Sequence, residues 1–312
     1  MSIQGTQGPL FEIAAGLNEL FPDETRRALD DLFNLARKYT TTESYNDLLK
    51  FIRRFRFYSP FNAMLIHTQM PGAKYAAPPD RWLKKYQRRI KTGSRPLVIL
   101  RPRGPVMFVF DVSDTEPLDG APRLPPEVEN PFDVRDGVIG SEWSLTCENA
   151  KRDGVNVIEK DAGSQSAGSI QNASAGRFLS VLKKKKPTEV YERVPLRYEM
   201  LVNTKLSSEA KYATTVHELG HLYCGHLGSP NANWWQDRHT LNTNVCEFEA
   251  ESICYLVCSR LGIDNPSDEY LAGYMDAHKE TPPISLEAVM KAAGLIEKMG
   301  RERLKPRKET EA

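Results

Sequence analysis

His217 and His221 stand four residues apart with Glu218 between them, in the run Tyr212-Ala213-Thr214-Thr215-Val216-His217-Glu218-Leu219-Gly220-His221. On a helix this spacing sends both imidazoles out of one face, where they can share a metal ion. Glu218 points about a quarter-turn away, towards the place an attacking water would take. Two histidines leave a catalytic zinc site one protein ligand short. A third histidine in the spacing H-E-x-x-H-x-x-G-x-x-H would need glycine at position 224 and histidine at position 227, where the chain has Cys224 and Leu227. His226 follows His221 by five residues and falls off the ligand face.

Carboxylates are available further on, between Cys246 and Cys258, as Glu247, Glu249 and Glu251. There Ala250, Ile253, Cys254, Val257, Cys258 and Leu261 form an apolar stripe at helical spacing. Glu247 and Glu251 border the stripe, whereas Glu249 lies roughly opposite Glu247. A carboxylate half-buried beside a core is costly unless it is paired or metal-bound. Glu247 is therefore expected to be the third ligand. Glu251, one turn on, would accept the N–H of a zinc histidine and fix its tautomer. Neutral His217 and His221 with Glu247 would hold Zn²⁺, and Glu218 would take the proton of a water and return it to a leaving amine. That is peptide hydrolysis. For the donor to the developing oxyanion, Tyr212, Arg238 and His239 are candidates that spacing does not separate. Trp235, with Trp234, either floors a substrate cleft or packs as core.

The elements that must position these groups can be read around them. Ser207 or Ser208 suits an N-cap for the His217 helix, and Gly225 suits its C-terminal stop. Tyr198 to Asn203 reads as a strand feeding that helix, with shorter strands at Val155 to Glu159 and around Gly168-Ser169-Ile170. Helices are expected from Ser144 to Arg152, Cys246 to Leu261, Ser267 to His278 and Ser285 to Met299. Lys183 to Lys186 is expected as an exposed turn. Further upstream, helices are expected over Pro9 to Leu20, Asp23 to Tyr39, Ser44 to Tyr58 and Phe61 to Gln69, the last opened by Ser59-Pro60. One or two helical turns are expected from Asp80 to Tyr86. Pro96 to Leu100 and Val106 to Val112, separated by Arg103-Gly104-Pro105, read as a hairpin. The fold class is α+β, divided into 1–115, an acidic Pro-rich linker at 116–140, a second domain at 141–300 and a charged tail at 301–312.

With 42 Lys or Arg against 41 Asp or Glu, the chain has almost no net charge, so a nucleic-acid argument needs local clustering. Residues 37–103 provide it, with sixteen Lys or Arg against three acids and aromatic rings between them. Such a pattern suits a single strand, whose phosphates meet the cations and whose bases stack on the rings. The alternative is that the rings are core and the charges a solvated face. Five cysteines without C-x-x-C spacing fit a reducing compartment. No basic start followed by an apolar run opens the chain, and no apolar stretch reaches membrane-span length, so a cytoplasmic location is expected.

His217-Glu218-Leu219-Gly220-His221 together with Glu247-x-x-Ala250-Glu251, after the Tyr198 to Asn203 strand, resembles the ImmA/IrrE family of gluzincin-type metallo-endopeptidases. Its usual pattern has Asn or Asp where this chain has Glu251. The resemblance implies a zincin-like fold over about Val155 to Leu261 and a protein substrate such as a transcriptional repressor. Separately, Tyr58-Ser59-Pro60-x-Asn62, Trp82, Lys91-x-Gly93 and Phe110-Asp111-Val112 resemble the single-stranded-DNA-binding domain of ArdC-type antirestriction proteins. That resemblance implies DNA contacts from Tyr58, Asn62, Trp82 and Lys91, to which the charge pattern adds Arg53, Arg54, Arg56, Lys84, Lys85, Arg88 and Arg89. The resemblance also implies a competing function, antirestriction through single-strand binding, in which the metal site is structural or vestigial.

Overall fold

The computed structural model describes residues 39–101, 104–125, 128, 137–161, 166–184 and 186–307. The helices expected over 9–20 and 23–39 lie outside these residues, Tyr39 excepted, as does the end of the tail. The chain divides into two compact units, Met1–Val134 and Arg135–Ala312, and its class is α+β.

Unit 1 opens with α1 (Thr42–Arg54), capped by the Thr41 hydroxyl, which accepts from the Ser44 N–H. Its Tyr45, Leu48, Leu49 and Ile52 recur at helical spacing and are buried on α2 (Pro60–Gln69). Ser59 caps α2 and Pro60 supplies a preset φ at its first position. After β1 (Ala76–Ala77), α3 (Pro79–Tyr86) and β2 (Arg88–Ile90) comes the hairpin β3 (Leu97–Arg101) and β4 (Gly104–Asp111). Leu97 pairs with Val109 and Ile99 with Met107 in an antiparallel register, and β1 adds to the far side of β4. β3 is thus an edge strand, whose outward backbone groups need partners other than a strand. Two side chains of α2 cover that edge by imitating a neighbouring strand. The Asn62 amide donates to Leu100 O at 3.0 Å and accepts from Leu100 N at 2.9 Å, and Gln69 treats Val98 in the same way.

The acidic stretch expected as a linker contributes to this unit. β5 (Thr115–Pro117) pairs with β2, and Val128 is buried in a cluster with Tyr75, Trp82 and Tyr86. Asp111 is buried too, its carboxylate accepting from the backbone of Lys74, Tyr75 and Ser113.

His67, buried in α2 against Phe51, receives the Tyr39 hydroxyl at 2.6 Å. Burial pulls its pKa from 6.5 down to about 4, opposed by Asp47 and assisted by Arg54. The unfolded chain therefore takes up a proton that the folded one refuses, so stability present above pH 6.5 is lost as pH falls towards 4. Urea titrations followed at Trp82 are expected to give about 2 kcal/mol less stability at pH 5 than at pH 7 from this group, and His67→Gln should remove that part of the slope.

Unit 2 begins with α4 (Glu142–Ala150) and a short 3-10 turn leading into β6 (Val155–Lys160). β7 (Gly168–Asn172) follows, then a hairpin of β8 (Phe178–Lys184) and β9 (Val190–Pro195), and β10 (Tyr198–Asn203). The hairpin takes in Lys183 and Lys184, expected as a turn. β10 is central, parallel to β6 and antiparallel to β7, with Tyr198, Met200 and Val202 turned into the core. It delivers the chain to α5 (Ser208–Tyr223), which packs on β10 and β7. α6 (Thr243–Leu261), α7 (Ser267–Ala277) and α8 (Leu286–Arg301) complete the unit. α6 is covered by α5, α7 and α8, and every residue from 252 to 260 is buried. Among the described residues no helix is long and apolar enough to cross a membrane.

Candidate metal centre

The site is built on α5 and α6. Ser207 caps α5 by accepting from Ala210 N, and Gly225 ends it at a φ of 79°. A side chain at 225 would run into the Gln236 carbonyl, so only glycine turns the chain here. Gly220 has a different task. A Cβ at 220 would lie 3.3 Å from the Ala250 Cα, which shows how closely α5 and α6 approach. This contact carries Glu247, one turn before Ala250, to the histidines.

His217 Nε2 and His221 Nε2 are 3.2 Å apart. Glu247 places one oxygen 3.6 Å from the first and the other 3.5 Å from the second. The three side chains offer ligand atoms that all lie within 4.8 Å of one another, and two imidazole nitrogens with a carboxylate oxygen are a donor set that fits zinc. The electrostatics agree. Burial would lower the His217 pKa, but Glu247 and Glu251 outweigh it and raise it to about 9. The neighbouring imidazoles of His217 and His221 hold the Glu247 carboxyl well below the usual range. This cluster favours a positive charge at its centre.

The outer nitrogens are held as well. Glu251 lies 3.5 Å from His217 Nδ1. His221 Nδ1 is 3.0 Å from His226 Nδ1, and His226 Nε2 is 2.9 Å from Glu249. Burial keeps the His226 pKa low against the pull of Glu249. A neutral His226 donating from Nε2 to Glu249 must accept at Nδ1 from His221, which leaves the His221 Nε2 lone pair facing Glu247. Arg238 closes the series with a two-pronged grip on Glu249 at 2.7 and 2.6 Å, and the Ser285 N–H adds a fourth donor at 2.6 Å. Cys224, His226 and Glu249 also cluster like metal ligands. The Arg238 guanidinium already supplies the cation there.

Glu218 is half-buried, with a pKa raised by burial and by Glu247 against the pull of His217 and His221. The backbone of Ile170, in β7, an edge strand of the sheet, offsets a small part of that rise.

The four candidates for oxyanion or substrate contact are placed otherwise. Tyr212, 1% exposed, points away from the histidines, with its hydroxyl at Gly300 of α8 and Thr146 of α4. Arg238 is committed to Glu249. His239 is exposed and bonded to Asp237 at 2.6 Å. Trp235 packs edge-on to Tyr223 and donates to the Gly228 carbonyl. A phenol the sequence did not single out, Tyr270 of α7, has its pKa raised by burial and by the charges of Glu247 and Glu251.

In unit 1 the residues that carry the ArdC resemblance serve the scaffold. Trp82 is fully buried and donates to Phe110 O, leaving no face for a base. Tyr58 donates to Ala76 O and Asn62 clamps β3. Arg88 bonds to Thr115, Arg89 to Glu116 and Lys91 to the Ser113 carbonyl. Arg54 lies over the Phe51 ring, and Arg53 and Arg56 are half-buried. Lys84 and Lys85 are exposed. Phe51, Phe55, Tyr75 and Tyr86 are core, and Phe57 at 54% exposure is the open ring among those described.

No family model matches the chain. No curated protein matches it either. Among solved structures it is similar to the metal-free crystal structure of the antirestriction protein ArdC from plasmid R388, at 13% identity and a TM-score of 0.31, over 78% of this chain and 82% of that one. So slight a likeness carries no argument about function.

Proposed function

We propose that unit 2 is a zinc-dependent peptide hydrolase. The observation that supports this most is the convergence of His217, His221 and Glu247, with ligand atoms within 4.8 Å of one another, beside the half-buried carboxylate of Glu218. These three side chains would hold the ion, which when bound supplies Lewis acidity and lowers the pKa of water. Glu218 accepts the water's proton and passes it to the leaving amine. β7, whose Ile170 backbone acts on the Glu218 carboxylate, is the edge on which an extended peptide adds as a further strand. Tyr270, near enough to feel the charges of Glu247 and Glu251, is the candidate donor to the oxygen that gains charge. A protein regulator, such as a transcriptional repressor, is the substrate class the ImmA/IrrE resemblance implies.

The test is metal content and cleavage of a degenerate peptide library. The protein is expected to carry one zinc per chain and to lose cleavage with a chelator. Glu247→Ala should weaken zinc by more than the roughly 10–100-fold typical of a ligand's supporting partner. Zinc retained by Glu247→Ala and lost from Glu249→Ala would reverse the ligand assignment.

A second reading is single-strand binding by unit 1, as in an antirestriction protein, with the metal structural. It is favoured by the charge between residues 74 and 101, where eight of nine Lys or Arg are exposed and the one acid is Asp80. Affinity for a single strand would then fall steeply with salt.

A further inference from the structure

A second concavity of unit 2, of about 520 Å³, is lined by Arg152, Arg193, Arg197 and Arg307 with Trp234 and Phe178. Glu192 at its rim is neutralised by Lys183 at 3.0 Å. Beneath it, Asp153 takes Arg307 Nε at 2.6 Å. Four guanidiniums therefore face one carboxylate, a surplus of three positive charges. Arg152 is 8% exposed. Its Nε stands 3.3 Å from Asp153, yet among the described residues neither Nε nor Nη2 has a hydrogen-bond acceptor. A buried guanidinium with unmet donors is costly unless an anion completes it.

The forks are also held in place. Arg197 and Arg307 lie 5.1 and 5.4 Å from the Trp234 ring centre, and Arg193 lies 4.3 Å from that of Phe178. Stacked guanidiniums are preorganised for planar oxyanions and lose little freedom on binding. A single carboxylate offers one charge to four forks. Linked phosphates, each with several acceptor oxygens, match both the charge and a volume well beyond that of one small anion.

We propose that this pocket binds the phosphates of a nucleotide or of a single-stranded oligonucleotide. It is separate from the metal reading, and neither depends on the other. The probes are pyrophosphate, ATP and a labelled oligo-dT, titrated into the full chain and followed by Trp fluorescence and anisotropy. Arg193→Ser/Arg197→Ser should weaken pyrophosphate about tenfold or more, and Arg193→Ser alone, at an exposed position that the fold does not need, severalfold. ATP that binds more tightly than pyrophosphate, with oligo-dT undisplaced by it, identifies the nucleotide as source. Oligo-dT displaced by pyrophosphate identifies the strand. Equal pyrophosphate affinity in the wild type and both variants, or tighter binding of poly-glutamate than of pyrophosphate, overturns the proposal.

Discussion

Glu218→Gln is expected to lower peptide hydrolysis by about 10²–10⁴-fold, the range for loss of a positioned general base. That corresponds to about 3–5 kcal/mol of barrier. Glutamine has the same shape and keeps an acceptor oxygen, so the local structure stays in place. It cannot take a proton. Burial already raises the Glu218 pKa towards the range where a carboxylate accepts a proton readily, and the amide removes that capacity alone. Zinc content should be unchanged, because none of the three ligand side chains is touched. The measurement is cleavage of a peptide library beside zinc stoichiometry on the same preparation. Wild-type rates in the variant would remove the hydrolase reading. If cleavage is lost while restriction is still countered in cells, the antirestriction reading describes the biology and the metal has another use.

Glu249→Ala should cost about 3–5 kcal/mol, the range for breaking a buried ion pair by deleting one partner. Glu249 has no exposed surface, and its two oxygens serve Arg238, His226 and the Ser285 backbone. Removing it strands a buried guanidinium and leaves the His226 Nε2 proton without its acceptor. In a unit of this size the loss corresponds to about 6–20 °C in melting temperature. Hydrogen exchange localises it: α6 and the start of α8 should lose protection, while unit 1 keeps its own. The variant should also loosen zinc by about 10–100-fold, because His221 is oriented through His226. An unchanged melting temperature would mean that the network contributes nothing to stability.

The convergence of His217, His221 and Glu247 could be read because it follows from local spacing. His217, Glu218 and His221 share one helical turn and a cap, and Glu247 shares its face of α6 with Glu251. What escaped was set by packing. Opposing Glu249 to Glu247 assumed that α6 has one wet side, but the helix is surrounded by α5, α7 and α8, so a glutamate opposite the stripe is buried as well. Arg238 and His226, both near the end of α5, were the signal that such a carboxylate has partners. His226 looked misplaced because helix geometry was extended beyond Gly225, whose positive φ turns the chain back. In unit 1 the rings between the cations look the same in sequence whether they face bases or a core. Only the long-range bond from Trp82 to the Phe110 carbonyl separates the two. The β8–β9 hairpin was missed because charged residues at Lys183 and Lys184 hide a strand that is exposed on most of its length.

The near contact of Gly220 with Ala250 means that the gap between the imidazoles and the Glu247 carboxylate is set by one main chain resting on another. Such a gauge stretches little when a core side chain is trimmed, since its nearest atoms belong to the Ala250 main chain. The coordination geometry should therefore be among the last properties of this unit to drift as its sequence diverges, and a methyl group at 220 is a more direct threat to it than a cavity elsewhere.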